Sequence, residues 1–247
     1  MSPQAILADT AAFIRSNTGL MAPPLVPEVR LHLATEVVPL WRKTEEELAA
    51  EGVPPPYWAF AWAGGQALAR HVLDHGDIVR ERRVLDFGSG SGLVAIAAAL
   101  AGASHVLAAD IDPFAAAAIA MNCDANLHWD RAHPWASNEG DAQRCARSQW
   151  EITTADVIGS PCAWDVILVG DMCYERPLAD RLLEWLQQCT QSGATVLLGD
   201  PGRSYFPKTG VTRLATYRVQ TTRELEDREI RDTSVYRFEG SRSPAIA

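Results

Sequence analysis

Residues 83–92 read Arg83-Val84-Leu85-Asp86-Phe87-Gly88-Ser89-Gly90-Ser91-Gly92. A short apolar run holding one carboxylate leads into alternating glycines, and an Ala-rich stretch, 93–101, follows. The order is strand, glycine turn, helix. Glycine lets the backbone turn tightly and lets a ligand approach main-chain N–H groups. A dinucleotide fingerprint, G-x-G-x-x-G, needs glycine at position 93, where Leu93 stands. The spacing is instead G-x-G-x-G, preceded by an acid at the strand's end.

The same alternation continues outward. Residues 105–109 read as a second strand ending at Asp110, and Pro113 opens a helix to about Asn126. Residues 150–154, 164–169 and 194–198 read as three more strands, with a helix from Pro177 to about Cys189 before the last. Residues 216–222 and 233–239 alternate like an antiparallel pair. Upstream, a helix spans about 66–73, and 5–15 and 30–50 look helical on either side of the Pro-rich stretch 22–27. Pro54-Pro55-Pro56 stops any helix and forces extended chain. Residues 128–149 form a polar, turn-rich insertion, read as an exposed loop in which Trp129 and Trp135 either pack it down or touch a partner. Strands alternating with helices mean βαβ units. The expectation is one α/β domain over 1–247. Residues 81–247 would form a mostly parallel sheet with an antiparallel C-terminal edge hairpin, and 1–80 an N-terminal helical cover.

The chain has 247 residues and a net charge of −9, which argues against a protein that coats nucleic acid. Residues 201–247 run the other way, with nine Arg/Lys against six Asp/Glu. No apolar run reaches the ~18 residues of a membrane helix, and the N-terminus lacks the basic and apolar regions of a secretory signal. Five scattered cysteines suggest reduced thiols in the cytoplasm. Cys123, His128, His133 and Cys145 fit no common zinc spacing, so no metal is expected.

Asp86 bears on the ligand. A carboxylate repels a pyrophosphate and attracts a ligand carrying an ammonium and a sulfonium. S-adenosylmethionine carries both and no phosphate. Asp110, with Ile111 beside it, ends the next strand where a carboxylate can accept from ribose hydroxyls. Asp112 suits a cap for the following helix. Asp156 is placed either to accept from an adenine amino group or as a plain loop aspartate. The ordered set is a sign of the class I, Rossmann-like seven-strand methyltransferases.

Further segments carry a closer resemblance. Tyr57-Trp58-Ala59-Phe60-Ala61-Trp62-Ala63-Gly64-Gly65, the D-x-x-Y element Asp171-Met172-Cys173-Tyr174, and Gly199-Asp200-Pro201-Gly202-Arg203 resemble the electron transfer flavoprotein β-subunit lysine methyltransferases, a family of seven-strand protein-lysine methyltransferases. The likeness runs from about Phe13 to Phe238. It implies that Asp86, Gly88, Ser89, Gly90 and Gly92 hold the methionine part of S-adenosylmethionine, that Asp110 holds the ribose, and that Trp62 lines the cofactor and acceptor pocket. It implies that Asp171 and Tyr174 serve methyl transfer and position the target lysine, and that the partner is the β-subunit of electron transfer flavoprotein. The insertion is longer than the resemblance leads one to expect. Animal members carry a mitochondrial presequence, whereas this chain looks like a bacterial, cytoplasmic homologue.

Asp171 ends the fourth strand, the rim where open parallel sheets bind ligands. It could orient an amine, or cap the next turn. Tyr174 could lie on the amine face. Trp58 reads as core, and Trp62, beside two glycines, as ligand-facing. Asp200 and Arg203 could pair to shape their loop, with Arg203 the better substrate contact. The rival acceptors are a ribosomal protein or a small amine. A non-catalytic cofactor binder and a nucleic-acid methyltransferase are weaker, the latter because no Asn-Pro-Pro-Tyr type of motif is present.

Overall fold

The computed structural model describes residues 3–34, 55–127, 149–221 and 228–240. The N-terminal part comprises α1 (Pro3–Asn17), β1 (Gly19–Met21) and β2 (Leu31–Leu33). A 3-10 turn (Tyr57–Ala59) leads into α2 (Ala63–Asp74). Then come β3 (Arg83–Phe87), α3 (Leu93–Leu100), β4 (His105–Ala109), α4 (Pro113–Leu127) and β5 (Gln149–Thr153). The chain continues through β6 (Val166–Gly170), α5 (Arg176–Gln191), β7 (Thr195–Asp200), β8 (Val211–Gln220) and β9 (Ile230–Phe238).

The large sheet has seven strands in the order β5-β4-β3-β6-β7-β9-β8. The first five are parallel, and β9 runs antiparallel between β7 and β8. This is the mostly parallel α/β sheet with an edge hairpin that the sequence implied. Strand order reverses between β3 and β6, the crevice where such sheets bind ligands.

Alternation sorts the core. Val84, Val166, Leu168 and Leu197 join a cluster with α2 and α3 on one face. Leu85, Phe87, Ile167, Val169, Val196 and Leu198 pack on the other with Leu182, Trp185, Leu186 and Cys189 of α5. Successive strand side chains point to opposite faces, and the α5 spacing is one helical stripe. A third cluster sets Ile14, Trp58 and Phe60 against Ala115, Ala117 and Ala118 of α4, so the N-terminal segment closes over the carboxyl end of the sheet.

One expected element is corrected. Residues 31–33, read as part of a 30–50 helix, are a strand paired antiparallel with β1. Leu31 and Leu33 are buried while His32 between them is half-buried, a two-residue period. Distant amides hold it: Asn122 Oδ1 accepts from the His32 N–H at 2.7 Å, and Asn126 Oδ1 from the Arg30 N–H at 2.8 Å. The rest of that expected helix, 35–50, lies outside the described residues, as does the insertion at 128–148 with both its tryptophans. Gln149, assigned to the insertion, opens β5. Among the described residues no helix is long and apolar enough to cross a membrane.

Candidate active site

The glycine loop is built around Asp86. Its carboxylate is 1% exposed, at the end of β3. Oδ2 accepts from Ser89 Oγ at 2.6 Å and from the Ala95 N–H, in the first turn of α3, at 3.0 Å. Burial pushes its pKa to about 7 against the pull of those bonds. Asp86 does not line the cavity described below. The carboxylate anchors the loop and the helix through Oδ2. Ser89 is likewise spent on that anchor. Gly88 and Ser89 donate their N–H groups to the Ala109 carbonyl, tying the loop to β4. Gly88 has a φ of +65°, and a Cβ there would strike the sulfur of Met172. The Met172 side chain could shift, but the positive φ favours glycine at this turn.

Gly88 and Gly90 border a cavity of about 570 Å³ at the carboxyl ends of β3, β4, β5 and β6. Its size is that of a small-molecule site. Gly92, with a φ of +82°, turns the chain into α3 and is not among the cavity's lining residues. Asp110 reaches the cavity from β4. Its Oδ2 accepts from the Gly90 N–H at 2.8 Å and its Oδ1 from the Asp112 N–H at 3.0 Å. Each oxygen retains a lone pair for a hydroxyl. Burial raises its pKa. Asp112 caps α4, accepting from the Phe114 N–H at 2.8 Å. Ile111, 74% exposed, lines the same cavity with Val157 and Ile158, and the three offer apolar contact to a flat ring. Asp156 borders it too, but Oδ2 is 2.7 Å from Arg181 of α5 and Oδ1 accepts from the Ile158 N–H at 3.0 Å. The Arg181 bond draws its pKa down.

At the other end stands Asp171, directly after β6 and 8% exposed. It has a φ of +60°, uncommon for a non-glycine residue. Its N–H bonds the Gly199 carbonyl of β7 at 2.9 Å. Oδ2 accepts from the Gly65 N–H at 3.0 Å, and Oδ1 from Arg203 Nε at 3.0 Å and Nη2 at 2.6 Å. The first turn of α2 presses on this point, and a Cβ at Gly64 would strike the Gly199 carbonyl oxygen and Asp171 Oδ2. The Trp-x-Gly-Gly segment is therefore what brings a helix N-terminus onto the Asp171 carboxylate.

Aromatic rings frame the same end. Trp62 Nε1 donates to the Tyr57 carbonyl at 2.9 Å, and their rings lie 6.0 Å apart. Tyr57 in turn lies 6.0 Å from Tyr174. All three line the cavity. Trp58 is buried and stacks on Phe114, 6.3 Å between centroids, and also lines the cavity. Burial raises the Tyr174 pKa, and pushes the Cys173 thiol to about 12, so Cys173 is no nucleophile. Tyr57 and Met172 are cavity residues the sequence reading did not single out, although both fall within segments it quoted.

Asp200 shapes the loop after β7 through backbone: Oδ1 accepts from the Gly202 N–H at 2.6 Å and the Arg203 N–H at 2.7 Å. The Arg203 guanidinium reaches Asp171 and lies 5.7 Å from the Trp62 ring centroid. Among the described residues no cluster of His, Cys, Asp and Glu suits a metal ion.

Comparison with known proteins gives the family. The electron transfer flavoprotein beta subunit lysine methyltransferase of Xenopus laevis is 39% identical over 92% of this chain and 86% of its own length. The Danio rerio protein of the same name is 38% identical over 93% of this chain and 83% of its own. This chain belongs to that family. It is a methyltransferase, and S-adenosylmethionine is its cofactor. The human relative is 39% identical over 79% of this chain and 67% of its own. Residues 67–161 also match the family of ribosomal protein L11 methyltransferase (PrmA). The solved magnesium protoporphyrin IX methyltransferase of Synechocystis, at 14% identity, aligns over 70% of this chain and 77% of its own with a TM-score of 0.47.

The cavity fits the cofactor. Glycines at one edge admit a close ligand, Asp110 faces it with free acceptor capacity, and its walls are largely apolar. Asp110 and Asp112, beside the glycine loop, disfavour a phosphate there, while Asp156 is paired with Arg181.

Proposed function

We propose that this protein is a protein-lysine N-methyltransferase acting on the β-subunit of electron transfer flavoprotein. The observation that carries the reading is the pairing of a buried carboxylate, Asp171, with an aromatic frame of Tyr57, Trp62 and Tyr174 at the far end of the cofactor cavity. Gly88, Gly90 and Asp110 would hold S-adenosylmethionine, which would supply an electrophilic methyl group. Asp171 accepts a hydrogen bond from the lysine amine and orients its lone pair. Desolvation by the aromatic walls and the positive sulfur of the cofactor would lower the lysine pKa from its ordinary ~10.4 against the opposing pull of Asp171, with the proton passing to solvent before the amine is sealed in the site. Tyr174 and Tyr57 offer ring faces to a methylated ammonium. Positioning then accounts for most of the catalysis, a contribution of up to ~7–11 kcal/mol.

The choice of acceptor rests on the relatives. The ribosomal protein L11 methyltransferase match ends at residue 161, on the cofactor side, before Asp171, Tyr174 and Arg203. The electron transfer flavoprotein relatives span both sides. The test incubates the protein with methyl-labelled S-adenosylmethionine, recombinant electron transfer flavoprotein and recombinant L11. Label on lysine of the flavoprotein β-subunit is expected. Label on L11 with none on the flavoprotein would reject the proposed substrate.

A further inference from the structure

The exposed aromatic side chains gather in one place. Among the described residues no Trp or Phe is exposed, and the exposed tyrosines are Tyr57, Tyr174 and Tyr205, at 44%, 44% and 36%. Tyr57 and Tyr174 lie 6.0 Å apart at the acceptor end of the cavity. Tyr205 stands just outside it. Its N–H bonds the Cys173 carbonyl at 3.1 Å, which ties its loop to the Asp171–Tyr174 segment. Arg176, the first residue of α5, is exposed and sets its guanidinium carbon 5.2 Å from the centroid of the Tyr205 ring. Neither Tyr205 nor Arg176 lines the cavity. Scattered exposed apolar side chains need no explanation, whereas a patch that adjoins a site marks an interaction surface.

Arg176 is placed against the interest of its own helix. A helix N-terminus favours negative charge, yet the first turn of α5 holds no acid and opens on this cation. Among the described residues Arg176 makes no ion pair, and its one contact is the Tyr205 ring. A local choice that conflicts with the fold and has no compensation inside it is the mark of a functional position. The chemistry suits recognition. Tyrosine and arginine are prominent among the residues that carry binding energy at protein interfaces, and a rigid ring loses little freedom on contact. A guanidinium lying over a ring keeps its N–H edges for a carboxylate, which it can grip in two places. From the cavity outward, a substrate would therefore meet the Asp171 carboxylate, the Tyr174 ring and then the Arg176 cation. That order complements a lysine with an acidic side chain beyond it.

We infer that Tyr205 and Arg176 form a docking surface for the protein substrate, where the segment flanking the target lysine sets an acidic side chain against Arg176. This deepens the proposed function and rests on a protein lysine entering the end of the cavity framed by Asp171 and Tyr174.

The test measures steady-state methyl transfer to the protein labelled in the assay above, with S-adenosylhomocysteine binding and Tm alongside. Arg176→Glu should raise KM for the protein substrate about tenfold and leave kcat and S-adenosylhomocysteine affinity within about twofold, the behaviour of a charge at the rim of an interface. Added salt should raise the wild-type KM toward that of the variant. The Tm of Arg176→Glu should equal or exceed wild type, because an acid suits the start of a helix. A merely structural Arg176 predicts the opposite. Tyr205→Ala should raise KM as well. Acidic residues of the substrate near the labelled lysine are then changed to arginine one at a time. One such change should raise KM for wild type and lower it for Arg176→Glu. An unchanged KM in Arg176→Glu, a lowered Tm, or no substrate position that compensates for the reversed charge overturns the proposal. Label on L11 alone would refute the choice of acceptor, and the same variants measured on L11 would still decide the role of Arg176.

Discussion

Substituting alanine at Gly64 sets helix propensity against packing. By propensity, alanine within a helix is favoured over glycine by up to about 1 kcal/mol. By packing, the new methyl would strike the Gly199 carbonyl oxygen and Asp171 Oδ2. The first is backbone of a central strand, and the second is held by the Gly65 N–H in a carboxylate also bonded to Arg203. Neither can swing aside as the end of a flexible side chain would, so α2 must move. Overpacking of this kind typically costs ~1–3 kcal/mol. The upper end applies here, for a net loss of about 2 kcal/mol after propensity is counted. In a domain of this size that corresponds to a Tm lower by about 4–8 °C. Gly65→Ala is the matched control. Its Cβ would have Val94 Cγ2 as nearest neighbour at 4.0 Å, and its N–H is kept, so its stability should be unchanged or up to about 1 kcal/mol higher. Urea denaturation of both variants compares the two positions with nearly the same change in the unfolded chain. Gly64→Ala should also lose methyl-transfer activity, because α2 carries the Gly65 donor away from Asp171. Stability of Gly64→Ala equal to wild type, or within about 1 kcal/mol of Gly65→Ala, would refute the close approach of α2 to β6 and β7.

Asp86 predicts a pH dependence. Its folded pKa of about 7 lies above the ordinary carboxylate value, so its stabilising contribution is present in full below pH 4 and is lost as pH rises toward 7. Asp86→Asn should therefore match wild type near pH 4 and become progressively more stable relative to it up to pH 7. The gap approaches about 4 kcal/mol at most, at 1.36 kcal/mol per pKa unit; a gap that shrinks with pH in denaturant titrations would contradict the buried, protonated anchor. Asp110→Ala should raise the dissociation constant for S-adenosylhomocysteine at least tenfold in calorimetry if Asp110 accepts from the ribose as proposed, because it also removes the bond that holds the Gly90 N–H. Unchanged affinity would remove Asp110 from the cofactor site.

The parallel sheet was legible because each strand is a compact apolar run and each turn carries its own marker. Gly88, Gly90 and Gly92 all take positive φ, a requirement that residue type states directly. The β1–β2 pair was not legible. Three-residue strands are too short to show a period, and the amides of Asn122 and Asn126 that hold β2 lie 90 and 96 residues away. Asp86 shows another limit. The sequence placed a carboxylate at the end of β3, but not the Ser89 hydroxyl and Ala95 N–H that bond its Oδ2 and tie the loop to α3. Arg203 is the same problem reversed. The sequence left it either paired with Asp200, three residues away, or in contact with the substrate. That carboxylate instead takes up backbone N–H groups, and the guanidinium goes to Asp171, 32 residues distant. Tyr57 lay in plain view in an aromatic run, yet its place in the site depends on Tyr174 across the fold.

The strand ends share one device that explains how an acidic chain keeps carboxylates at the centre of its fold. Asp86, Asp110, Asp171 and Asp200 stand at or just after the carboxyl ends of β3, β4, β6 and β7, and each accepts a backbone N–H from a neighbouring loop or helix start. Such groups are the unsatisfied donors of helix first turns and tight turns, and they favour negative charge. What differs is what completes each set. At Asp86 burial and a hydroxyl complete it, and the group holds its proton up to about pH 7. At Asp110 a second backbone N–H completes it, leaving acceptor capacity suited to hydroxyls. At Asp171 a guanidinium joins it, and that carboxylate is matched to positive charge. The cavity therefore runs from an end suited to a sugar to an end suited to an amine. A methyl donor and a lysine would lie in that order.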